Sequence, residues 1–283
     1  MALNSQNPSP LISVIIPTCN RGAVLEHAIE SVLNQTLKNF ELLIIDDGST
    51  DHTPQLVTTY QNRIKYFTQI NKGPAAARNF GIQNSQGDLI CFLDSDDRWI
   101  ETKLEIQVGL MLSDPNIKIC YTDEIWIRRG VRVNQKQVHR KYSGWIYQQC
   151  LPLCIISPSS AMIHREVFDQ VGLFDETMIV CEDYDLWLRI SRVYPITFIP
   201  QPLIIKYGGH EDQLSHQFLG MDVFRIRALE KMLKENGLSP TDRNATVRML
   251  QKKCAILASG CFKRGRIDEG EFYSSLKSKY NTS

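Results

Sequence analysis

No stretch of this 283-residue chain comes near the roughly 20 consecutive apolar residues that a membrane-spanning helix needs. Met1 to Pro10 lacks both a basic region and an apolar segment, so it reads as a short disordered tail and not as a secretory signal. The expectation is a cytoplasmic protein, compatible with peripheral contact at the inner face of a membrane. Net charge is missing as well. Lys and Arg number 32 against 31 Asp and Glu, a formal charge of +1, which excludes a general attraction to nucleic acid or anionic lipid. The eight cysteines lack any pairing logic. Cys91 and Cys120 lie inside apolar runs, and Cys19, Cys181, Cys254 and Cys261 are scattered. Cys150 and Cys154 are close, but no His or Cys pair completes a zinc pattern. Reduced, mostly buried thiols are expected. No GxGxxG follows the first apolar run, which argues against a dinucleotide oxidoreductase. Internal repeats and low-complexity segments are absent too.

What is present is ordinary for a soluble globular chain: 43% apolar and 22% charged residues, in a length that suits one large domain or one domain with an appendage. The first half alternates short apolar runs with helical patterns. Strands are expected at Ile12 to Ile16, Phe40 to Ile45, Ile64 to Phe67, Leu89 to Leu93 and Ile117 to Tyr121. Helices are expected over Gly22 to Gln35, near Thr53 to Tyr60, from Pro74 to about Ile82, and from Ile100 to Leu112. Near-continuous apolar strands separated by helices predict an α/β fold with a parallel sheet covered on both faces. Beyond Tyr121 the pattern loosens, with apolar segments at Leu151 to Ile156 and Ile196 to Ile199 and helices near Arg165 to Val171 and Tyr184 to Val193. These read as mixed strands extending the sheet and building an acceptor side. Met221 to Glu235, Pro240 to Gly260 and Asp268 to Tyr280 read as helices. The expected division is a tail over 1–10, a domain over 11–218 split into nucleotide-binding (11–122) and acceptor-side (123–218) halves, and a helical appendage over 219–283.

Ligands of such sheets bind at the carboxyl ends of the strands. Strand one ends in Pro17-Thr18-Cys19-Asn20-Arg21, strand two in Asp46-Asp47-Gly48-Ser49, and strand four in Asp94-Ser95-Asp96-Asp97. Carboxylates two apart on an extended segment point the same way, and three acids together repel unless a cation neutralises them. All-oxygen ligands suit Mg²⁺ or Mn²⁺, which commonly complete their shells with substrate phosphates; a solvated acidic turn is the plainer alternative. Asp46 and Asp47 are either part of a helix cap or, with Ser49 or Thr50 capping, available to a base imide or ribose hydroxyls. Arg78, in Gly73-Pro74-Ala75-Ala76-Ala77-Arg78-Asn79, is either a surface residue or a ligand of a diphosphate or nucleoside. Glu182, Asp183 and Asp185 stand at a helix start, where acids serve as caps. Three exceed that need, and one of them suits a general base. His210, in a Gly208-Gly209 loop, is either an ordinary loop histidine or a ligand of the metal or diphosphate.

In these stretches the chain resembles the family-two glycosyltransferases with the GT-A fold, which is Rossmann-like with a mostly parallel mixed sheet. The matching segments are VIIPTCNR, FELLIIDDGSTD, NKGPAAARNFGI, GDLICFLDSDDRW, the GLFDE segment at Gly172 to Glu176, and EDYDLW. They follow the family's order over about residues 11 to 190, and GGHEDQLS extends the likeness to about residue 215. The resemblance implies that Pro17, Thr18 and Arg21 lie near the nucleotide, that Asp47 contacts the base (usually uracil), and that Arg78 lies near the nucleoside diphosphate. It implies a DxD element with Asp94 on the ribose side and Asp96 or Asp97 on Mn²⁺ or Mg²⁺, joined by His210. Asp183 matches the catalytic base, with Glu182, Asp185 and Trp187 as acceptor-side or supporting residues. The implied reaction is inverting transfer from a nucleotide sugar, a UDP-sugar above all, to a saccharide or glycolipid, in surface polysaccharide or glycolipid assembly. Membrane helices and a QxxRW motif are lacking, which points to single-sugar transfer rather than polymer export. A haloacid-dehalogenase-type phosphatase also uses DxD after an apolar strand, but that motif follows its first strand and not its fourth. A non-catalytic sugar-nucleotide-binding module would not need the acids at Glu182 and Asp183.

Overall fold

The computed structural model describes residues 11–209 and 220–280. The first four apolar runs form strands β1 (Ile12–Thr18), β2 (Phe40–Asp46), β3 (Lys65–Thr68) and β4 (Leu89–Phe92). Between them run α1 (Gly22–Leu33), α2 (Thr53–Thr58) and α3 (Pro74–Gln83). Next come β5 (Arg98–Trp99), α4 (Lys103–Ser113), β6 (Ile119–Arg128), β7 (Val131–Val133), α5 (Tyr147–Cys150), β8 (Ala161–His164), α6 (Glu166–Val171), α7 (Glu182–Val193) and β9 (Thr197–Gly208). Three helices close the chain: α8 (Asp222–Lys234), α9 (Pro240–Lys263) and α10 (Ile267–Lys279).

The sheet order is β3-β2-β1-β4-β8-β6-β9-β5, with β7 paired to β6. β1 is parallel to β2 and β4, β2 to β3, and β6 to β9, while β8 runs antiparallel to both β4 and β6. The carboxyl ends of β1, β2, β4, β6 and β9 therefore share one edge. That edge carries every acidic cluster named above except the one at the start of α7.

Continuous apolar strands need cover on both faces, and the period-two alternation of side chains sorts it. Ile12, Val14, Ile16, Leu42 and Ile44 pack with Leu25, Ile29, Leu104 and Val108 from α1 and α4. Ile15, Leu43, Ile45, Ile90 and Phe92 face the other way, toward α3, α7 and the closing helices. The Ala75-Ala76-Ala77 run keeps α3 close to the sheet, and a Cβ on Gly81 would run into the Ile15 side chain.

Two segments depart from the sequence reading. Leu151 to Ile156 forms no strand, and the antiparallel strand beside β4 is β8 instead, too short at four residues to show periodicity. β6 runs on to Arg128, beyond the expected Tyr121, because it turns into β7 through Arg129 and Gly130, both at positive φ. The closing helices pack against the rest of the chain. Leu229, Met232, Leu250 and Cys254 are buried in the same cluster as the sheet and α7. Among the described residues no helix is long and apolar enough to cross a membrane. The eight cysteines are free thiols, six of them buried.

Candidate active site

Loops at the ends of β1 and β2 are tied together before any ligand is considered. Asn20 donates its amide to Ser49 Oγ at 2.8 Å, and its Oδ1 accepts the Thr50 and Asp51 amides at 2.7 and 3.2 Å. Ser49 and Thr50 thus lock the two loops and do not cap α2, contrary to the sequence reading. Pro17 and Thr18 are buried at the strand end, and Arg21 is half-exposed, its amide donating to Thr53 Oγ1.

Asp47 is not free, as the sequence reading had supposed. Its Oδ1 accepts from Gln69 Nε2 and the Lys72 amide at 2.7 and 2.8 Å, and its Oδ2 from the Gly73 amide at 2.7 Å. A carboxylate offers about four acceptor positions, so one is left for a ligand. The physical reason is the loop before α3, whose exposed amides need an acceptor and find it in the nearest strand-end acid.

Arg78 is buried and not on the surface. Its guanidinium forks between two carboxylates, with NH2 2.8 Å from Asp94 Oδ1 and NH1 2.6 Å from Glu182 Oε1, and it lies 5.4 Å from the Phe174 ring. Burial would lower its pKa, but the two acids raise it above the usual arginine value. One side chain of α3 therefore joins the end of β4 to the start of α7. The fork sets the site's frame.

The acids of the β4 turn point in different directions. Asp94 and Asp96 are half-exposed. Asp97 is buried: Ser159 Oγ donates to its Oδ2 at 2.7 Å, and the Tyr207 amide approaches its Oδ1 at 3.3 Å. Burial pushes the Asp97 carboxyl well above its usual value, Lys206 pulls it back, and Asp94 and Asp96 push it up again. Asp97, held by Ser159 and the Tyr207 amide, is less open to a cation than the half-exposed Asp94 and Asp96. Among the described residues no three His, Cys, Asp or Glu side chains gather so as to hold a metal. His210 lies outside the described residues. Two half-exposed carboxylates on oxygen-only ground fit a Mg²⁺ or Mn²⁺ ion that takes its other ligands from a diphosphate.

Asp183, at the first turn of α7, is half-exposed. Cys154 donates its thiol to Asp183 Oδ2 at 3.1 Å, and the Tyr184 amide donates to Oδ1 at 2.7 Å. Burial, with Asp183 alongside, pushes the Cys154 thiol well up, so it stays a donor. Glu182 is buried against Arg78, as described. Asp185 is almost fully buried, paired with Arg189 at 2.8 Å and with Lys231 of α8 at 2.7 Å, and supports α7 from behind. Trp187 is fully buried in the core, a position that suits a supporting residue. An indole at the sixth position of the EDYDLW segment lies on the side of the helix that packs inward.

Sequence reasoning missed Cys154, Ser159 and Lys206. Lys206, on β9, is half-buried, and its pKa is driven above the usual lysine value by Glu124, Asp97 and Asp94 against the opposing effect of burial. Cys154 and Ser159 lie outside the matched segments and Lys206 just precedes the Gly208-Gly209 loop, and only tertiary contacts reveal their partners.

The parallel strand ends, the DxD turn and the acid at the start of α7 define a GT-A-type α/β transferase fold. A sequence profile described as Glycosyl transferase family 2 matches residues 13–172. The chain belongs to this family. It is 42% identical over 194 residues to an uncharacterised glycosyltransferase of Rickettsia conorii, in a match covering 68% of this chain and 32% of that protein. The chain thus spans about a third of that relative's length. It is 36% identical to the UDP-Glc:alpha-D-GlcNAc-diphosphoundecaprenol beta-1,3-glucosyltransferase WfgD of Escherichia coli, covering 64% of this chain and 70% of that one. Among solved structures, S. aureus TarS in complex with UDP-GlcNAc superposes with a TM-score of 0.68 at 19% identity, over 86% of this chain and 71% of that one. A mannosyltransferase from Pyrobaculum calidifontis in complex with GDP-Man and Mn²⁺ has a TM-score of 0.60 at 15% identity, over 97% and 88% of the two chains.

Proposed function

We propose that the protein transfers a glycosyl group from a UDP-sugar to a hydroxyl of a saccharide or glycolipid acceptor, with inversion at the anomeric carbon. The observation that carries this is the Arg78 fork. It holds Asp94 at the end of β4 and Glu182 at the start of α7, which brings the Asp183 carboxylate to the edge where the acidic turn stands. Relatives support the donor and acceptor classes: WfgD is named for a UDP-glucose donor and a lipid diphosphate-linked acceptor, and TarS is seen with UDP-GlcNAc.

In this reading Pro17, Thr18, Arg21 and the remaining acceptor position of Asp47 flank the nucleotide. Asp94 and Asp96 would hold a divalent cation, which when bound offsets charge on the departing diphosphate. Asp183 accepts the proton of the acceptor hydroxyl, and the oxygen attacks the anomeric carbon from the face opposite the diphosphate. Cys154 and the Tyr184 amide hold that carboxylate in place.

Calorimetry with UDP, dTDP, CDP and ADP, with and without Mn²⁺, tests the reading. UDP is expected to bind best, with dTDP tolerated because thymine keeps the imide N–H, and Asp96→Ala should remove the Mn²⁺-dependent part. Preference for CDP or ADP would overturn the uracil assignment, and undiminished Mn²⁺ dependence in Asp96→Ala would overturn the metal assignment.

A further inference from the structure

An open pocket of about 620 Å³ lies along the β6–β7 hairpin and the stretch that follows it, apart from the nucleotide edge of β1 and β2. Its floor is the buried Glu124 carboxylate. Lys141 Nζ lies 3.2 Å from Oε1, and Trp126 donates its indole N–H to Oε2 at 2.8 Å. Burial would raise this acid, yet Lys206 and Lys141 hold it below its usual value. One wall is aromatic, with the Trp126 and His139 rings 4.9 Å apart. Gln135 donates to Asp123 Oδ1 at 3.1 Å and to the Glu124 carbonyl at 2.9 Å, and Asp123 is half-exposed. An aromatic face beside an amide and a carboxylate suits a sugar ring and its hydroxyls.

The rim has a different character. Between Glu124 and Glu166 the sequence contains no Asp or Glu, while Arg128, Arg129, Arg132, Lys136, Arg140 and Lys141 all fall in that interval. Arg132, Lys136 and Arg140 are exposed, and among the described residues none of them is in an ion pair. A chain of formal charge +1 thus gathers, at one pocket mouth, three exposed cations without an ion pair among the described residues. The pocket is linked to the proposed base through one lining residue and the 154–155 stretch. Lys141 Nζ donates to the Ile155 carbonyl at 3.2 Å, next in sequence to Cys154, whose thiol donates to Asp183. On the other side, Lys206 lies between Glu124 and the Asp94–Asp97 turn in its electrostatic partners.

We propose that this pocket is the acceptor subsite and that it is built for a sugar carrying a phosphate or diphosphate ester. Trp126, His139, Gln135 and Asp123 take the sugar, and Arg132, Lys136 and Arg140 take the phosphate. The proposal rests on the reading of Asp183 as base. The phosphate could belong to a lipid carrier or to a soluble sugar phosphate, and the chemistry recognised is the same.

The test compares two soluble probes by calorimetry on the full chain: octyl-diphospho-N-acetylglucosamine, and octyl N-acetylglucosaminide without phosphate. It uses the wild type and the Arg132→Ala/Lys136→Ala/Arg140→Ala variant, whose changes are all at exposed positions. The wild type is expected to bind the diphosphate probe at least about ten-fold more tightly than the glycoside, and the variant to lose that difference. Equal affinities in the wild type, or a difference that survives in the variant, would overturn the proposal. Two further arms separate the sources and the readings. N-acetylglucosamine 1-phosphate replacing the lipid-like probe shows whether the alkyl chain matters, and retained phosphate discrimination without the chain still supports the site. Loss of binding to phosphatidylglycerol vesicles, relative to phosphatidylcholine, with the probe discrimination unchanged would assign the cations to a bilayer and overturn the proposal. UDP titration runs in parallel: its failure sinks the donor reading, while the probe comparison decides the acceptor site by itself.

Discussion

Arg78 pairs with two acids that would otherwise be costly where they stand, and removing one partner of a buried charged pair typically destabilises by about 3–5 kcal/mol. Its partner Glu182 is the more telling of the two. Burial and the neighbouring Asp183 push the Glu182 carboxyl up to about 7, against the pull of Arg78 toward its ordinary value of 4.5. Across that interval the folded protein holds a proton that the unfolded chain has released. Stability from this group therefore falls as pH rises from about 4.5 to about 7. In Glu182→Gln the same Oε1 still accepts from Arg78 but cannot titrate. The melting-temperature difference, wild type minus variant, is expected to fall between about pH 5 and about pH 7.5; a constant difference would contradict it. In the proposed mechanism Asp183 has the opposite duty; it is half-exposed and held by Cys154 and its own helix amide. Asp183→Asn keeps the shape and removes the base. We expect kcat to fall by about 10² to 10⁴, roughly 3 to 5 kcal/mol of barrier, with UDP affinity little changed because the lost interaction belongs mainly to the transition state. Turnover near the wild-type rate in a folded Asp183→Asn protein would remove Asp183 from the mechanism.

At the scale of elements, the site depends on how α7 is held. The GLFDE segment is clamped from both sides. Asn79 of α3 exchanges hydrogen bonds with the Phe174 amide and carbonyl at 2.9 Å each, and Arg189 of α7 donates to the Val171 and Leu173 carbonyls at 2.6 and 2.8 Å. This is why a motif with no chemistry of its own accompanies the catalytic ones. From behind, α8 contributes Lys231, which bridges Asp175 at 2.5 Å and the buried Asp185 at 2.7 Å. Lys231→Ala leaves Asp185 with Arg189 as its remaining charged partner. A loss of about 1–3 kcal/mol in unfolding free energy is expected, below the cost for a fully buried pair because the lysine is partly exposed. Urea denaturation measures it, and an unchanged midpoint would show that Arg189 alone suffices. The closing helices thus pack on α7 and, through Thr246 and Tyr147 at 2.8 Å, on α5.

For the molecule as a whole, a near-zero net charge conceals a strong asymmetry: acids converge at the β4 turn and the start of α7, and cations gather on the β6–β7 hairpin. Composition alone argued against attraction to anions, and that inference holds for the average surface but not for this face. The apolar alternation of β1, β2 and β4, the helix patterns between them and the polar clusters after each strand were all legible in the sequence, because burial periodicity and strand ends are local properties. They suffice for the α/β sheet, for the shared carboxyl edge and for the identity of the acids that stand there. Which of those acids faces outward was decided by tertiary structure. Asp97 turns inward to Ser159, 62 residues away, Arg78 reaches Glu182 across 104, and Cys154 meets Asp183 across 29. A side chain's exposure and partners depend on what the fold brings against it, and no spacing along the chain encodes a neighbour that arrives from another layer of the sheet.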